Sequence, residues 1–418
     1  MHPDSRFKRV TKLGICFFKY GLFIDLVKIK NYLSPTENKG NISYKLEFIR
    51  LKILCIFVKI LRLKKFLPLL LFVCSTLIFA QTTRKYSNEF MNIGVDAAAL
   101  GMANAVVAHS GDVNSGYWNP AGLVQLEDNQ LALMHSSYFA NIANYNYAAY
   151  AMPLDERSAV GISLIRFGVD DILDTTQLID EQGNINYDNI NLFSAADYGL
   201  TVSYSRRLPV PGLNYGVNAK IIRRVIGDFA SSWGFGLDLG VQFHTKNSWF
   251  FGFMARDITT TFNAWAIDED KLSDIQNAVD GQNQEAPEGT ELTLPKIQLG
   301  MAKVWEINYD YILRAELDLI MRFEENNDLI STSFVSINPA FGFEFGYTDM
   351  VFLRGGMGNF QNELQIDNTE RMSFQPSFGV GFKYRGIQVD YAFTDIGDQS
   401  AALYSNVFSL KLDFSIFR

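Results

Sequence analysis

From residue 131 onward, runs in which apolar and polar side chains alternate with a period of two recur along the chain. That period of two is the signature of β-strands with one apolar face. In residues 198–205, Tyr198, Leu200, Val202 and Tyr204 alternate with Gly199, Thr201, Ser203 and Ser205. In 233–243, Trp233, Phe235, Leu237, Leu239, Val241 and Phe243 alternate with glycines, Asp238 and Gln242. Fourteen such runs are legible: residues 130–139, 144–152, 157–168, 196–207, 213–225, 231–244, 248–257, 295–305, 310–321, 338–347, 350–357, 374–384, 387–394 and 404–417. The connections 153–156, 209–212, 245–247, 306–309, 348–349 and 385–386 are tight, whereas 169–195, 258–294, 322–337, 358–373 and 395–403 are long. If neighbouring strands are antiparallel, one rim carries only turns and the other all the long loops. One-sided loops, an even strand number and alternation predict an all-β, 14-stranded antiparallel transmembrane β-barrel of the outer-membrane type. A soluble β-sandwich or propeller would explain the alternation but not the loops. It would also leave aromatic-rich faces uncovered. A bilayer covers such faces, provided the sheet closes and leaves no unpaired edge.

Residues 86–128 do not alternate. The small-residue stretch 95–105 predicts a short helix, and Asp112 to Leu123 follows it. A segment of this length ahead of the first strand fits in the lumen of a 14-stranded barrel, which predicts a hatch or plug over 81–128 and a barrel over 129–418. Within it, Pro120 biases Asn119 to extended geometry, and the Asn119 side chain is suited to bond nearby backbone. Gly122 is expected to take a φ that alanine would resist. Further upstream, Lys64-Lys65 precedes the apolar residues 66–80, which end on a small residue. This predicts a signal peptide over 61–80, cleaved between Ala80 and Gln81. A membrane-spanning helix needs roughly 20 apolar residues and is the weaker reading. Residues 1–60 then read as an over-extended gene start.

Composition narrows the chemistry. The chain is 48% hydrophobic and 14% aromatic but only 20% charged, which excludes disorder, collagen and coiled coil. Its net charge of -8 conceals an asymmetry: residues 1–80 carry 15 basic against 4 acidic side chains, and the rest 22 against 41. So acidic a body is a poor nucleic-acid partner. Cys16, Cys55 and Cys74 all precede residue 81, so the body has no disulfide, thiolate metal site or thiol nucleophile. His109, His135 and His244 are scattered and fall in no metal-binding pattern. No GxSxG, P-loop or dinucleotide fingerprint occurs. Inward positions carry Lys220, Asp238, Arg314, Glu316, Asp318, Glu344, Lys383, Asp390, Lys411 and Asp413. Mixed signs favour an ion-paired lumen over a catalytic carboxylate pair. No catalytic residue, metal or cofactor is expected, and the chain is read as a non-enzyme.

Gly101-Met102-Ala103, then Asp112, then Tyr117-Trp118-Asn119-Pro120-Ala121-Gly122-Leu123 resembles the N-terminal hatch of FadL-type outer-membrane transporters. It is closer to the PorV/PorQ family of Bacteroidetes, which often has glycine where Ala103 stands. The resemblance covers the chain from about residue 86, the strands by pattern and number. It implies a FadL-like barrel with an inserted hatch in the outer membrane. It further implies a part in type IX secretion, either capturing and shuttling exported cargo or anchoring the surface attachment complex. Protein partners of the translocon or of that complex would follow, alongside outer-membrane lipids. FadL-type members instead pass long-chain fatty acids or other hydrophobic compounds, so a hydrophobic ligand in the barrel is the alternative. Two features favour secretion: the charged, glycine-rich inward faces, and an acidic stretch from Asp268 to Glu291 suited to a polar protein partner. In the last run, Phe408, Leu410, Leu412, Phe414 and Ile416 form the apolar face that must close the barrel. Barrels resembling this one present that strand to the insertion machinery, usually with a terminal aromatic. Here it is Phe417, followed by Arg418.

Overall fold

The computed structural model describes residues 87–138, 142–175, 178, 184–268, 289–364, 369–394 and 405–414. The upstream extension, the signal peptide with Ala80 and Gln81, Ile416, Phe417 and most of the acidic stretch lie outside them. Fourteen barrel strands follow one another: β1 (Gln130–Tyr138), β2 (Ala143–Asp155), β3 (Ser158–Asp174), β4 (Asn191–Arg207), β5 (Leu213–Ile226), β6 (Ala230–His244), β7 (Trp249–Arg256, continuing as Thr261–Ile267), β8 (Thr290–Thr293, continuing as Lys296–Glu306), β9 (Tyr311–Arg322), β10 (Ser336–Tyr347), β11 (Val351–Leu364), β12 (Glu370–Tyr384), β13 (Ile387–Thr394) and β14 (Ser405–Asp413). Each pairs antiparallel with its sequence neighbours. β14 pairs with β1 from Gln130↔Asp413 to Ser137↔Asn406, and this closes the sheet. No helix among the described residues is long and apolar enough to cross a membrane.

Several strands outrun the alternation that predicts them. β3 reaches Asp174, β7 reaches Ile267, and β11 reaches Leu364, so the long connections are shorter than expected. Each extension lies beyond an irregularity. β3 bulges between Val169 and Ile172, and β11 between Gly358 and Gln361. β7 breaks at residues 257–260. Asp171, Asp257, Thr260 and Asn359 there take left-handed φ of 59°, 54°, 59° and 49°. An extra residue reverses which face the following side chains occupy, so a strict period of two stops where the strand does not. The last strand ends at Asp413, leaving Phe414 beyond the ladder.

The barrel is apolar outside and polar inside. Leu133, Leu164, Phe235, Leu237, Met301, Phe343 and Phe408 are exposed, whereas Lys220, Asp238, Glu316, Asp318 and Asp390 are buried. This inversion needs a hydrocarbon solvent outside. Leu237, 44% exposed at mid-strand, faces it. Leu237→Arg is expected to destabilise the folded barrel by roughly 2–4 kcal/mol. The urea midpoint of refolding into lipid vesicles measures this, with Thr201→Ser on the inner face close to wild type.

Candidate functional site: the hatch and the lumen wall

Residues 87–126 lie against the inner wall of the barrel as short helical turns joined by tight bends. Glu89–Asn92 and Pro120–Gln125 are 3-10 turns, and Ala97–Leu100 and Ser115–Trp118 are single α-helical turns. So few helical hydrogen bonds leave many backbone groups to be satisfied elsewhere, and the barrel wall satisfies them. On β9, Asp318 Oδ2 accepts from the N–H groups of Val106 and Val107 at 2.9 and 3.0 Å. Glu316 Oε1 accepts from that of Ala108 at 2.6 Å. On β6, Gln242 Nε2 donates to the Ser110 carbonyl at 2.8 Å. Asn218 of β5 donates to the Gly116 carbonyl at 2.9 Å, and Ser205 of β4 to that of Ala121 at 3.1 Å. Ser409 of β14 accepts from Ala97 N–H at 3.1 Å and donates to Asp96 at 2.8 Å.

The wall also removes its own side chains where the hatch touches it. Gly216 and Gly240 are a cross-strand pair, as are Gly252 and Gly300, and Gly342 and Gly356. A Cβ at Gly216 would lie 2.4 Å from the Pro120 carbonyl carbon, and one at Gly252 2.4 Å from the Val107 carbonyl oxygen. One at Gly356 would lie 2.4 Å from the Met102 carbonyl carbon. The glycines of the inward faces are the imprint of a backbone packed against a sheet.

The motif residues of the hatch converge on this surface. Asn119 is the densest node. Its φ of -158° is extended, its Oδ1 accepts from Ala121 N–H at 3.2 Å, and its Nδ2 reaches the carbonyls of Val107 at 3.0 Å and Val241 at 3.2 Å. Pro120 sits over Gly216 and Gly240, and Leu123 over Gly161. Gly122 departs from the expectation of a special φ: it is absent from the left-handed positions, and space is what it supplies. A Cβ there would lie 2.2 Å from the Ser110 carbonyl oxygen and 2.7 Å from Ser115 Oγ. Tyr117 donates to the Met91 carbonyl at 2.7 Å and Trp118 to that of Val95 at 3.1 Å, tying the hatch to itself. Arg256 of β7 lies 4.5 Å above the Tyr117 ring and donates to its carbonyl at 2.9 Å. Asp112 pairs with Lys411 of β14 at 2.5 Å. Gly101 meets Gly379 of β12, and Met102 is fully buried. His109 Nδ1 lies 2.9 Å from Arg314 and must accept, since guanidinium only donates. Burial, aided by the Arg314 charge, pushes the imidazole down to about 3, which keeps it neutral.

The closing-strand residues stand apart from this site. Phe408 points outward, and Leu410, Leu412 and Phe414 are partly covered. Periodicity alone singles out none of Asp318, Glu316, Gln242, Arg256 or Ser409 as a hatch anchor. Their signal is a polar or charged side chain at an inward position, which names the face and not the partner.

Ala103 takes a φ of 53°, a region L-residues enter at about 1–2 kcal/mol. Ala103→Gly is expected to stabilise the hatch by up to about 1 kcal/mol once glycine's greater chain entropy is set against that relief. Native-state hydrogen exchange of the hatch amides measures it.

A family model described as "Type IX secretion system protein PorV" matches residues 80–290. No curated protein matches the chain in sequence. Among solved structures, a Pseudomonas aeruginosa FadL homologue is similar at 14% identity over 77% of this chain and 98% of its own, with a TM-score of 0.43. The Pseudomonas putida toluene transporter TodX is similar at 13% identity over 79% and 98%, with a TM-score of 0.48. The Ralstonia pickettii toluene transporter TbuX is similar at 11% identity over 77% and 98%, with a TM-score of 0.43. The family match begins just ahead of the hatch and runs into the eighth strand, and the chain belongs to the PorV family of type IX secretion proteins.

Proposed function

We propose that this outer-membrane barrel works in type IX secretion as a binding component that receives exported proteins or anchors the complex attaching them to the surface. The observation that carries the reading is the hatch itself. It is bonded to the wall from β4, β5, β6, β7, β9 and β14, and the wall glycines are shaped to it. A wall occupied in this way leaves the rims and the outer face for partners. The acidic stretch from Asp268 to Glu291 supports a polar protein partner. In the same reading the chain is a non-enzyme, reaches the outer membrane through a signal peptide cleaved after Ala80, and needs no cofactor. A hydrophobic-compound transporter is the second reading. It is favoured by one feature, a lumen cluster of Tyr138, Tyr145 and Phe167 packed edge to face with centroids 6.1–6.3 Å apart.

Deleting the gene and quantifying proteins on the cell surface and in the medium separates the two. The binding reading expects exported proteins to disappear from both and collect in the periplasm, with fatty-acid uptake unchanged. An unchanged surface and medium with lost uptake would establish the transporter instead.

A further inference from the structure

Glu316 and Asp318 of β9 hold three consecutive hatch amides, yet the sheet around them offers neither carboxyl a donor. They leave the same face of the strand and are 1% exposed each. Their cross-strand neighbours are Ala302 and Gly342 for Glu316, and Gly300 and Ala340 for Asp318. One oxygen of each accepts from the hatch, Glu316 Oε1 from Ala108 and Asp318 Oδ2 from Val106 and Val107. Among the described residues no donor reaches the other two oxygens, Glu316 Oε2 and Asp318 Oδ1, and both are buried. The two side chains nevertheless lie within hydrogen-bond reach of each other.

Few charges face this pair. Arg314 is the cation acting on Glu316. It is engaged elsewhere, with His109 Nδ1 at 2.9 Å, the Met102 sulfur at 2.7 Å and Glu344 at 3.8 Å. His109, the hatch side chain on this side, is neutral. On the next strands Glu344 pairs with Arg354 at 2.5 Å, and Arg354 with Asp390 at 2.6 Å. The next inward cations along β8 and β9, Lys296 and Arg322, stand four residues from Gly300 and Asp318. The charged group acting on Asp318 is Glu316 itself. Two carboxylates in contact do not both stay ionised without a counter-charge between them. An ionised carboxylate only accepts, so a hydrogen bond between two acids needs a proton on one of them.

We propose that Glu316 and Asp318 form a proton-binding site, one proton shared between Glu316 Oε2 and Asp318 Oδ1, that latches the hatch to the wall at Val106–Ala108. The protonated pair carries a single negative charge, and its other two oxygens stay open to the three hatch amides. Loss of the proton leaves two buried negative charges side by side, and departure of the hatch segment lets water solvate them. The docked hatch therefore binds this proton more tightly than the released one, so docking weakens as pH rises.

The test uses the whole barrel in detergent, digested with proteinase K between pH 7 and pH 10. Asp96 of the hatch, which burial raises to about 6, is ionised throughout this range and adds no dependence of its own. The wild-type hatch is expected to lose protection as pH rises. Glu316→Gln supplies an amide N–H in place of the shared proton and keeps an acceptor for Ala108. It is expected to shift the loss upward by at least about one pH unit. Infrared spectra at pH 7 are expected to show the C=O stretch of a buried protonated carboxylic acid in the wild type, and to show it diminished in Glu316→Gln. Identical protection profiles for the two proteins, no such band in the wild type, or an undiminished band in the variant would each overturn the proposal. Should Glu316→Gln fail to fold, the wild-type band decides alone: it must disappear together with hatch protection as pH rises.

Discussion

Removal of residues 405–414 is expected to abolish the folded barrel altogether. β14 is bonded on one side to β13, from Ile387↔Leu412 to Thr394↔Ser405, and on the other to β1. Without it, β13 and β1 each present a row of unpaired N–H and C=O groups to hydrocarbon. Each such group costs several kcal/mol in a medium that cannot hydrogen-bond. The loss also removes Ser409 and Lys411, which hold Ala97 and Asp112 of the hatch. No side-chain repacking compensates for a missing strand, so the effect exceeds the few kcal/mol by which a folded domain is stable. Outer-membrane fractions should contain no heat-modifiable band for the truncated chain. A folded, membrane-embedded band would mean that the sheet closes by another pairing.

Replacing Gly216 and Gly252 with valine is expected to leave the barrel assembled and expel the hatch. Each new Cβ would fall 2.4 Å from hatch backbone, at Pro120 and at Val107. Backbone cannot step aside by a rotamer change. The cost per site is therefore at or above the roughly 1–3 kcal/mol of ordinary overpacking. The hatch has little to oppose this, since its helical pieces are single turns that do not persist alone in water. The strands keep their ladders, because valine is well accommodated in a sheet. Added protease should cut residues 87–128 in the double variant and spare them in the wild type. Gly346→Val is the matched control, since its Cβ would approach nothing closer than 3.5 Å. Equal protection of all three proteins would mean that the hatch does not press on these glycines.

Strand number and facing are legible in the sequence because the strand period is two and the bilayer rewards it. Trp233, Phe235 and Leu237 read outward and stand exposed; Lys220 and Asp238 read inward and are buried. Strand ends are not legible, because the left-handed residues at Asp171, Asp257, Thr260 and Asn359 shift the phase and imitate a loop. Gly236 illustrates a second limit. On alternation it is an unremarkable inward position, yet its Cβ would lie 2.1 Å from Thr261 Oγ1, beyond the break in β7. The same holds for the glycine pairs. Their meaning depends on which residue of one strand faces which of the next, and register follows from turns and bulges that periodicity does not encode. The hatch motif is visible as residue types, whereas Asn119 as a hub and Gly122 as a space-maker emerge only once Val107, Val241 and Ser110 are brought beside them.

Ion conductance across a planar lipid bilayer tests most directly whether the lumen is filled by the hatch and not an open conduit. The purified wild-type barrel is predicted to insert without any steady current, and the Gly216→Val, Gly252→Val variant to conduct. A steady open-pore current from the wild type would contradict the account.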